Sequence, residues 1–229
     1  MHLADIEPLC KKLGVGPTTT RPNGDPCYTL PTIYDPNTQT AVTDSAAIVR
    51  YLDSAYPGTG PTLVPRELDA FVQAVQTAFE TMVFAGGHLV RLMVPAIHDV
   101  LVPCCNDGFR RIQEALHGPM EDLVVLPGSM ERTEQWKGLE KVFGAVAGWL
   151  KAESDGTERL FFLGGDRICH ADLVVAGFLQ FIKKVAPPEE WEAHVKTWDG
   201  GRWERLMNTF QLYDTVDAGV ALDLQSVKT

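Results

Sequence analysis

The sequence predicts an α+β protein that is mostly α-helical, in which a small strand-containing unit precedes a larger all-helical domain. Apolar residues recur at helical spacing through most of the chain after residue 65, whereas β-branched, strand-like stretches occur only before residue 44. The segment YPGTGPTLVP between these regions is rich in proline and glycine, as interdomain linkers often are. We therefore expect a first unit over residues 1–56, a linker over 57–65, a helical domain over 66–217 and a tail over 218–229.

The first unit is expected to contain two helices and a pair of strands. ADIEPLCKKL predicts a short helix that ends before Gly14, and the following residues 15–26, rich in Pro, Gly and Thr, predict a loop. CYTLPTIYD, residues 27–35, and TAVT, residues 40–43, predict two strands joined by a turn. The stretch DSAAIVRYL then begins a helix, because its apolar residues recur on one face.

An acid and a hydroxyl, Asp44 and Ser45, stand at the start of this helix, and two interpretations are open. Both residue types commonly cap helices by accepting hydrogen bonds from the free N–H groups of the first turn. Alternatively, this N-terminus binds the carboxylate of a ligand, since free N–H groups and the helix dipole favour an anion there.

A second open question concerns Leu30 and Pro31, inside the first predicted strand. Proline cannot donate to a ladder of hydrogen bonds, so it belongs at the edge or at the start of a strand. One interpretation is a plain edge proline. The other is that the backbone groups of Leu30 stay free to pair with an extended, peptide-like ligand.

The helical domain contains one stretch, LVVAGFLQFI at residues 173–182, that is apolar nearly all round, which predicts a helix buried at the centre of a bundle. GGDRICHADL predicts where this helix starts. With Cys169 as the N-cap, Asp172 falls at the N3 position, from which its carboxylate can reach the N-cap amide, and Ile168 and Leu173 take the positions of a hydrophobic staple. This combination predicts a structural rather than a catalytic role.

The composition argues against several classes of function. The chain has 20 Lys and Arg against 30 Asp and Glu and no basic run, so we expect no nucleic-acid partner. Its most apolar helical stretch is too short to span a bilayer, and the N-terminus lacks the pattern of a signal peptide, so we expect no membrane attachment and a cytoplasmic location. The five cysteines have no CxxC spacing and are expected to be reduced thiols, and the histidine spacing predicts no metal site.

The order of these features resembles the glutathione transferases over nearly the whole chain, from about residue 5 to about residue 217. Within that superfamily the chain is most similar to the fungal Fua class, which is related to the bacterial etherases. Three segments carry the resemblance: DSAAI at residues 44–48, FFLGGDRICHAD at 161–172 and GGRW at 200–203.

The resemblance implies a thioredoxin-like first domain that binds glutathione as a co-substrate. Leu30, before a cis-Pro31, would pair through its backbone with the cysteinyl part of glutathione. Ser45 and the helix N-terminus would take the γ-glutamyl carboxylate, and Asp44 would take the ammonium group. The family also implies a homodimer and a pocket for small hydrophobic ligands. For that pocket the first helices of the helical domain offer Phe79, Met82, Phe84 and Met93, although each of them is more often expected in the core.

The resemblance finally implies that the first strand–helix–strand segment of the thioredoxin-like domain, roughly 35–45 residues judged from the length of a βαβ unit, is missing from this sequence. The thiol-activating Ser, Tyr or Cys of the family lies in that segment, so no catalytic residue can be assigned here. Two hypotheses follow: a transferase acting on hydrophobic electrophiles with impaired activity, or a protein that binds such ligands without turnover.

Overall fold

The structure is a computed structural model that describes residues 3–21, 23–151 and 158–215. The predicted tail, residues 218–229, lies outside the described residues. The strands are β1 Thr19–Thr20, β2 Pro26–Cys27, β3 Thr32–Asp35 and β4 Thr40–Thr43. The helices are α1 Ile6–Lys12, α2 Ser45–Ala55, α3 Asp69–Phe84, α4 His88–Val100, α5 Pro103–His117, α6 Met120–Leu123, α7 Met130–Trp149, α8 His170–Val185, α9 Pro188–Glu190 and α10 Trp198–Phe210.

The strands form two small antiparallel pairs within the first unit. Strand β3 pairs with β4 from Thr32 opposite Thr43 to Asp35 opposite Thr40, which confirms the predicted hairpin. The predicted single strand over 27–35 is wrong in its first half, because β2 ends at Cys27 and pairs instead with β1, within the predicted loop. A turn around Gly24, which has a φ of 89°, connects β1 to β2.

A buried carboxylate ties the second hairpin to α2. Asp35, at the end of β3, accepts hydrogen bonds of 2.5 Å from the hydroxyls of Tyr51 and Tyr56 and one of 2.9 Å from the backbone N–H of Asn37. These donors, Tyr51 foremost, lower the pKa of Asp35 to about 2, since they stabilise the ionised form. The network fixes the angle at which α2 leaves the hairpin.

The C-terminal end of the linker is held by polar contacts. The Asp53 carboxylate, on α2, accepts hydrogen bonds from the backbone N–H groups of Leu63 and Val64 at 3.2 and 2.7 Å. The carbonyl of Leu63 accepts the N–H of His170, the first residue of α8, at 2.9 Å. In addition, the Arg50 guanidinium of α2 binds the Asp69 carboxylate of α3 through two nitrogens. These bonds fix the first unit against the helical bundle.

Helix α8 runs through the centre of the bundle and packs against α3, α4 and α10. Its inner residues Leu179 and Ile182 are fully buried, together with Phe143 of α7 and Trp203 of α10. The prediction that this helix lies at the centre of the bundle is therefore confirmed for the face that carries Leu179 and Ile182. No helix in the described ranges is both long and apolar enough to cross a membrane.

Candidate functional site

The start of α8 is fixed by the carboxylate of Asp172, which is 1% exposed. One oxygen accepts the backbone N–H of Cys169 at 2.8 Å, as the capping-box pattern suggests, and the other accepts the N–H of Phe162 at 3.0 Å. Burial raises the pKa of Asp172, and burial together with this carboxylate raises the pKa of the Cys169 thiol to about 12. Cys169 is therefore an unreactive N-cap. Of the predicted staple pair, Ile168 packs on the core, whereas Leu173 lines the cavity described next.

A cavity of about 550 Å³ lies between the first unit and the helical bundle. Strand β3 and α2 form one wall, and α3 and α8 form the other. The residues that line it are Pro31, Ile33, Ser45, Ile48, Val49, Glu80, His170, Leu173, Val174, Gly177, Phe178 and Phe181. Since only three of these have polar side chains, the cavity suits an apolar ligand with few hydrogen-bonding groups.

The N-terminus of α2 opens onto this cavity at Ser45. Asp44, the N-cap, accepts the N–H of Ala47 at 3.0 Å through its side chain and the N–H of Ile48 at 2.8 Å through its carbonyl. In the described part of the chain, no group hydrogen-bonds to the N–H groups of Ser45 and Ala46 or to the Ser45 hydroxyl. Both interpretations of the sequence therefore have a physical basis here, because Asp44 caps the helix and the remaining donors are available to an anion.

Asp44 has an unusual backbone conformation, with φ at 78° and ψ at 128°. A non-glycine residue in such a conformation costs on the order of 1–3 kcal/mol, and such residues cluster at ligand-binding sites. Here the conformation places the cap next to the free donors of the first turn.

The peptide bond between Leu30 and Pro31 is cis. Pro31 lines the cavity, and its carbonyl accepts the Thr43 hydroxyl at 3.4 Å. Leu30 is half-exposed, and none of the described residues hydrogen-bonds to its N–H or carbonyl group. The structure thus brings Pro31 and Ser45 to one cavity, with Leu30 and Asp44 directly before them in the chain.

The four residues predicted for the hydrophobic pocket do not line this cavity. Phe79 and Met93 lie in the core at 0% and 1% exposure, Met82 packs against the core, and Phe84 is 55% exposed. Instead, the apolar wall is a stripe on α8, to which Phe178 belongs. The rings of Phe79 and Phe84 meet Phe178 edge-on at centroid distances of 5.3 and 5.8 Å, so they support this wall from behind.

Two polar residues of the cavity, Glu80 and His170, were not predicted as site residues from the sequence. Glu80 follows Gln76 by one helical turn and accepts a hydrogen bond of 3.1 Å from its amide nitrogen. His170 is 4% exposed, and burial, together with the charge of Arg50, lowers its pKa. The described residues include no group of three or more His, Cys, Asp or Glu placed to hold a metal ion.

Comparisons with known proteins agree with this geometry. Residues 70–213 match the family model of the glutathione S-transferase C-terminal domain, and residues 14–60 match that of the N-terminal domain. Glutathione S-transferase CsGST63524 of Ceriporiopsis subvermispora, solved in complex with glutathione, is 38% identical with a TM-score of 0.86. The chain belongs to the glutathione S-transferase family. It therefore combines a thioredoxin-like N-terminal domain with an all-helical C-terminal domain.

Two further solved glutathione transferases are similar over most of their length. CsGST83044 of the same fungus, also in complex with glutathione, is 39% identical with a TM-score of 0.82, and GSTFuA3 of Phanerochaete chrysosporium is 31% identical with a TM-score of 0.83. The chain is covered to 96%, 93% and 95% in the three alignments, and it covers 84%, 83% and 83% of those proteins. A comparison with curated proteins gives no match.

Proposed function

We propose that this glutathione transferase binds glutathione across Leu30, Pro31, Asp44 and Ser45, and that the cavity beside them takes a small hydrophobic ligand. The observation that carries the proposal is the set of free donors at the start of α2, the N–H groups of Ser45 and Ala46 and the Ser45 hydroxyl, which lie beside the Asp44 carboxylate. Such a pairing of donors and a negative charge suits the γ-glutamyl group, which carries a carboxylate and an ammonium group.

In this arrangement the γ-glutamyl and cysteinyl parts of glutathione are recognised by different chemistry. The donors of α2 hold the γ-glutamyl carboxylate, and Asp44 retains one oxygen for the ammonium group because Ala47 uses only the other. The free N–H and carbonyl of Leu30 pair with the backbone of the cysteinyl residue, as one strand pairs with another. That the two Ceriporiopsis relatives were crystallised with glutathione supports the proposal.

The hydrophobic ligand contacts the apolar stripe of α8, which includes Phe178 and Phe181. Burial of an aromatic ligand there gains the hydrophobic contribution of about 25 cal/mol for each Å² removed from water. This wall, supported by Phe79 and Phe84, replaces the pocket on the first helices that we predict from the sequence.

We further propose that the 229-residue chain has little conjugating activity. Glutathione attacks as its thiolate, which needs a nearby group that stabilises the negative charge. Of the three polar side chains that line the cavity, Ser45 is assigned to the carboxylate, Glu80 repels an anion and His170 is neutral at pH 7 because its pKa is lowered. This distribution favours ligand binding without turnover as the second candidate function.

Two measurements test these proposals. Titration calorimetry with glutathione should show saturable binding, and its failure would overturn the glutathione site. A conjugation assay with 1-chloro-2,4-dinitrobenzene should then show turnover well below the ~10 s⁻¹ of a typical enzyme. Turnover near that rate would show that a residue of this chain activates the thiol, and the ligand-binding alternative would fail.

We also propose that the chain belongs to the Fua-like fungal transferases, forms a homodimer and works in the cytoplasm. Its similarity to GSTFuA3 of Phanerochaete chrysosporium supports the class assignment. Light scattering coupled to gel filtration tests the dimer, since the monomer has a mass of 25.2 kDa.

A further inference from the structure

We propose that His170 selects the ligand of the cavity, which takes an uncharged, largely apolar compound that carries one hydroxyl or carbonyl oxygen. This inference rests on the proposed use of the cavity for hydrophobic ligands, but it does not depend on the binding of glutathione.

The first argument is that the ring nitrogens of His170 have no hydrogen-bonding partner among the described residues. The residue is 4% exposed and lines the cavity, yet none of the described residues hydrogen-bonds to its imidazole nitrogens. A neutral imidazole offers one donor and one acceptor. These nitrogens are not among the fully buried unpaired side-chain atoms of the described residues, so they stay accessible from the cavity. A ligand that fills the cavity must therefore replace their hydrogen bonds to water or leave them unpaired at a cost in binding free energy. The ring of His170 therefore provides a hydrogen-bonding site that the protein itself leaves open.

The second argument is that the backbone of His170 is held rigidly. The residue is the first of α8, its N–H donates to the Leu63 carbonyl at 2.9 Å, and Asp172 fixes the preceding N-cap amide at 2.8 Å. A group fixed in this way loses little entropy when a ligand binds, so its hydrogen bond discriminates between ligands.

The third argument concerns charge. Arg50, Asp44 and Asp53 lie close enough to affect the His170 ring electrostatically, and Glu80 lines the same cavity. The guanidinium of Arg50 is already bound to Asp69. Among the described residues that line the cavity, Glu80 is the one acidic side chain, and its charge disfavours an anionic ligand. The apolar walls offer no groups that would replace the hydration of a cation, so a cation is disfavoured as well. An uncharged ligand remains.

The fourth argument is the extent of the apolar surface. On α8 the side chains of Leu173, Val174, Phe178 and Phe181 form one continuous stripe, and Ile33, Ile48 and Val49 face it from the first unit. A compound with a flat apolar body fills this space, and a single oxygen then suffices to reach His170.

The test compares two probes of nearly equal shape, 1-naphthol and 1-methylnaphthalene, which differ in one hydroxyl group. Their dissociation constants are measured by fluorescence titration at pH 7.5 for the wild-type chain, for His170→Phe and His170→Asn, and for the control His117→Phe on the exposed end of α5. We expect the ratio of the two affinities to shift against 1-naphthol by about 5- to 10-fold in His170→Phe, the effect of one lost hydrogen bond. His170→Asn should keep part of the preference, and His117→Phe should keep all of it.

An unchanged ratio in His170→Phe would overturn the inference. If that variant does not fold, the imidazole resonances of His170 in the wild-type chain decide the question, since they should shift with 1-naphthol and not with 1-methylnaphthalene. Equal shifts with both probes, or none, would also overturn the inference. Glutathione titrated in parallel separates the two proposals: a naphthol preference without glutathione binding leaves this inference standing and removes the proposed glutathione site.

Discussion

The imidazole ring of His88 occupies the space that a side chain at Gly138 would fill. A Cβ built at Gly138 would lie 2.4 Å from Nε2 of His88. Nδ1 of the same ring is 2.8 Å from Oε1 of Gln135, which lies on α7 together with Gly138. Helices α4 and α7 pack closely, and this contact lies between them. A side chain at 138 would therefore have to displace the His88 ring.

Gly138→Ala should therefore destabilise the protein, even though alanine is the better helix former. Displacement of the ring from Gln135 and local overpacking should lower the free energy of unfolding by about 1–3 kcal/mol. The matched control is Gly148→Ala on the same helix, where nothing lies within 4 Å of the new Cβ. Since the helix propensity gain is not offset there, urea unfolding should show a stability that is equal or up to ~1 kcal/mol higher. Equal effects of the two substitutions would refute the contact, as would an undiminished cost in a His88→Ala background.

Asp172→Ala should cost about 2 kcal/mol or more, because two buried N–H groups, those of Cys169 and Phe162, lose their acceptor. Thermal or urea unfolding measures the effect, and the exposed Asp166→Ala in the preceding loop serves as the control. A cost no greater than that of Asp166→Ala would show that the carboxylate contributes little to the start of α8.

Ser45→Ala should weaken glutathione binding by about 1–3 kcal/mol, the contribution of a hydrogen bond to a charged group. Asp44→Asn should also weaken it by removing the negative charge, while asparagine can still cap α2 and so keep the fold intact. Calorimetry on both variants is compared with Ser54→Ala, an exposed serine of the same helix that should bind as the wild type does. If all three variants bind equally well, Asp44 and Ser45 act only as caps.

Asp35 should make the first unit sensitive to acid. Its pKa is lowered from 3.8 to about 2 in the folded state, so its stabilising contribution is fully present above about pH 4 and is lost as the pH falls towards 2. We expect Asp35→Asn to be less stable than the wild type at pH 7 and the difference to shrink between pH 4 and pH 2. Urea unfolding across this range, with the exposed Asp107→Asn as the control, measures it. A difference that stays constant with pH would contradict the assigned cause.

Local patterns were sufficient to predict α8 but not the surroundings of its first turn. The spacing of Cys169 and Asp172 predicts the hydrogen bond between them, because both residues lie within the first turn of the helix. The second partner, Phe162, lies ten residues earlier in a loop, and no local rule relates the two. His170 was missed for the same reason, since its place in the cavity depends on the linker and on α2.

The residues of α8 that line the cavity could not be predicted from the sequence for a different reason. Leu173, Val174, Phe178 and Phe181 are as apolar as the fully buried Leu179 and Ile182. Because α8 is apolar nearly all round, its sequence carries no periodic signal that separates the covered face from the open one. Strands β1 and β2, by contrast, could have been predicted, since the dipeptide Asn23–Gly24 between them is a common hairpin turn.

The hydrogen bonds of the linker have a consequence for cooperativity. Asp53 accepts hydrogen bonds from Leu63 and Val64, and the Leu63 carbonyl accepts one from His170. Through these two neighbouring residues the linker is thus hydrogen-bonded to both domains. Neither domain can unfold without breaking bonds that also order the other. The two domains should therefore melt together, and a calorimetric scan should show a single endotherm whose midpoint a ligand of the shared cavity raises as a whole.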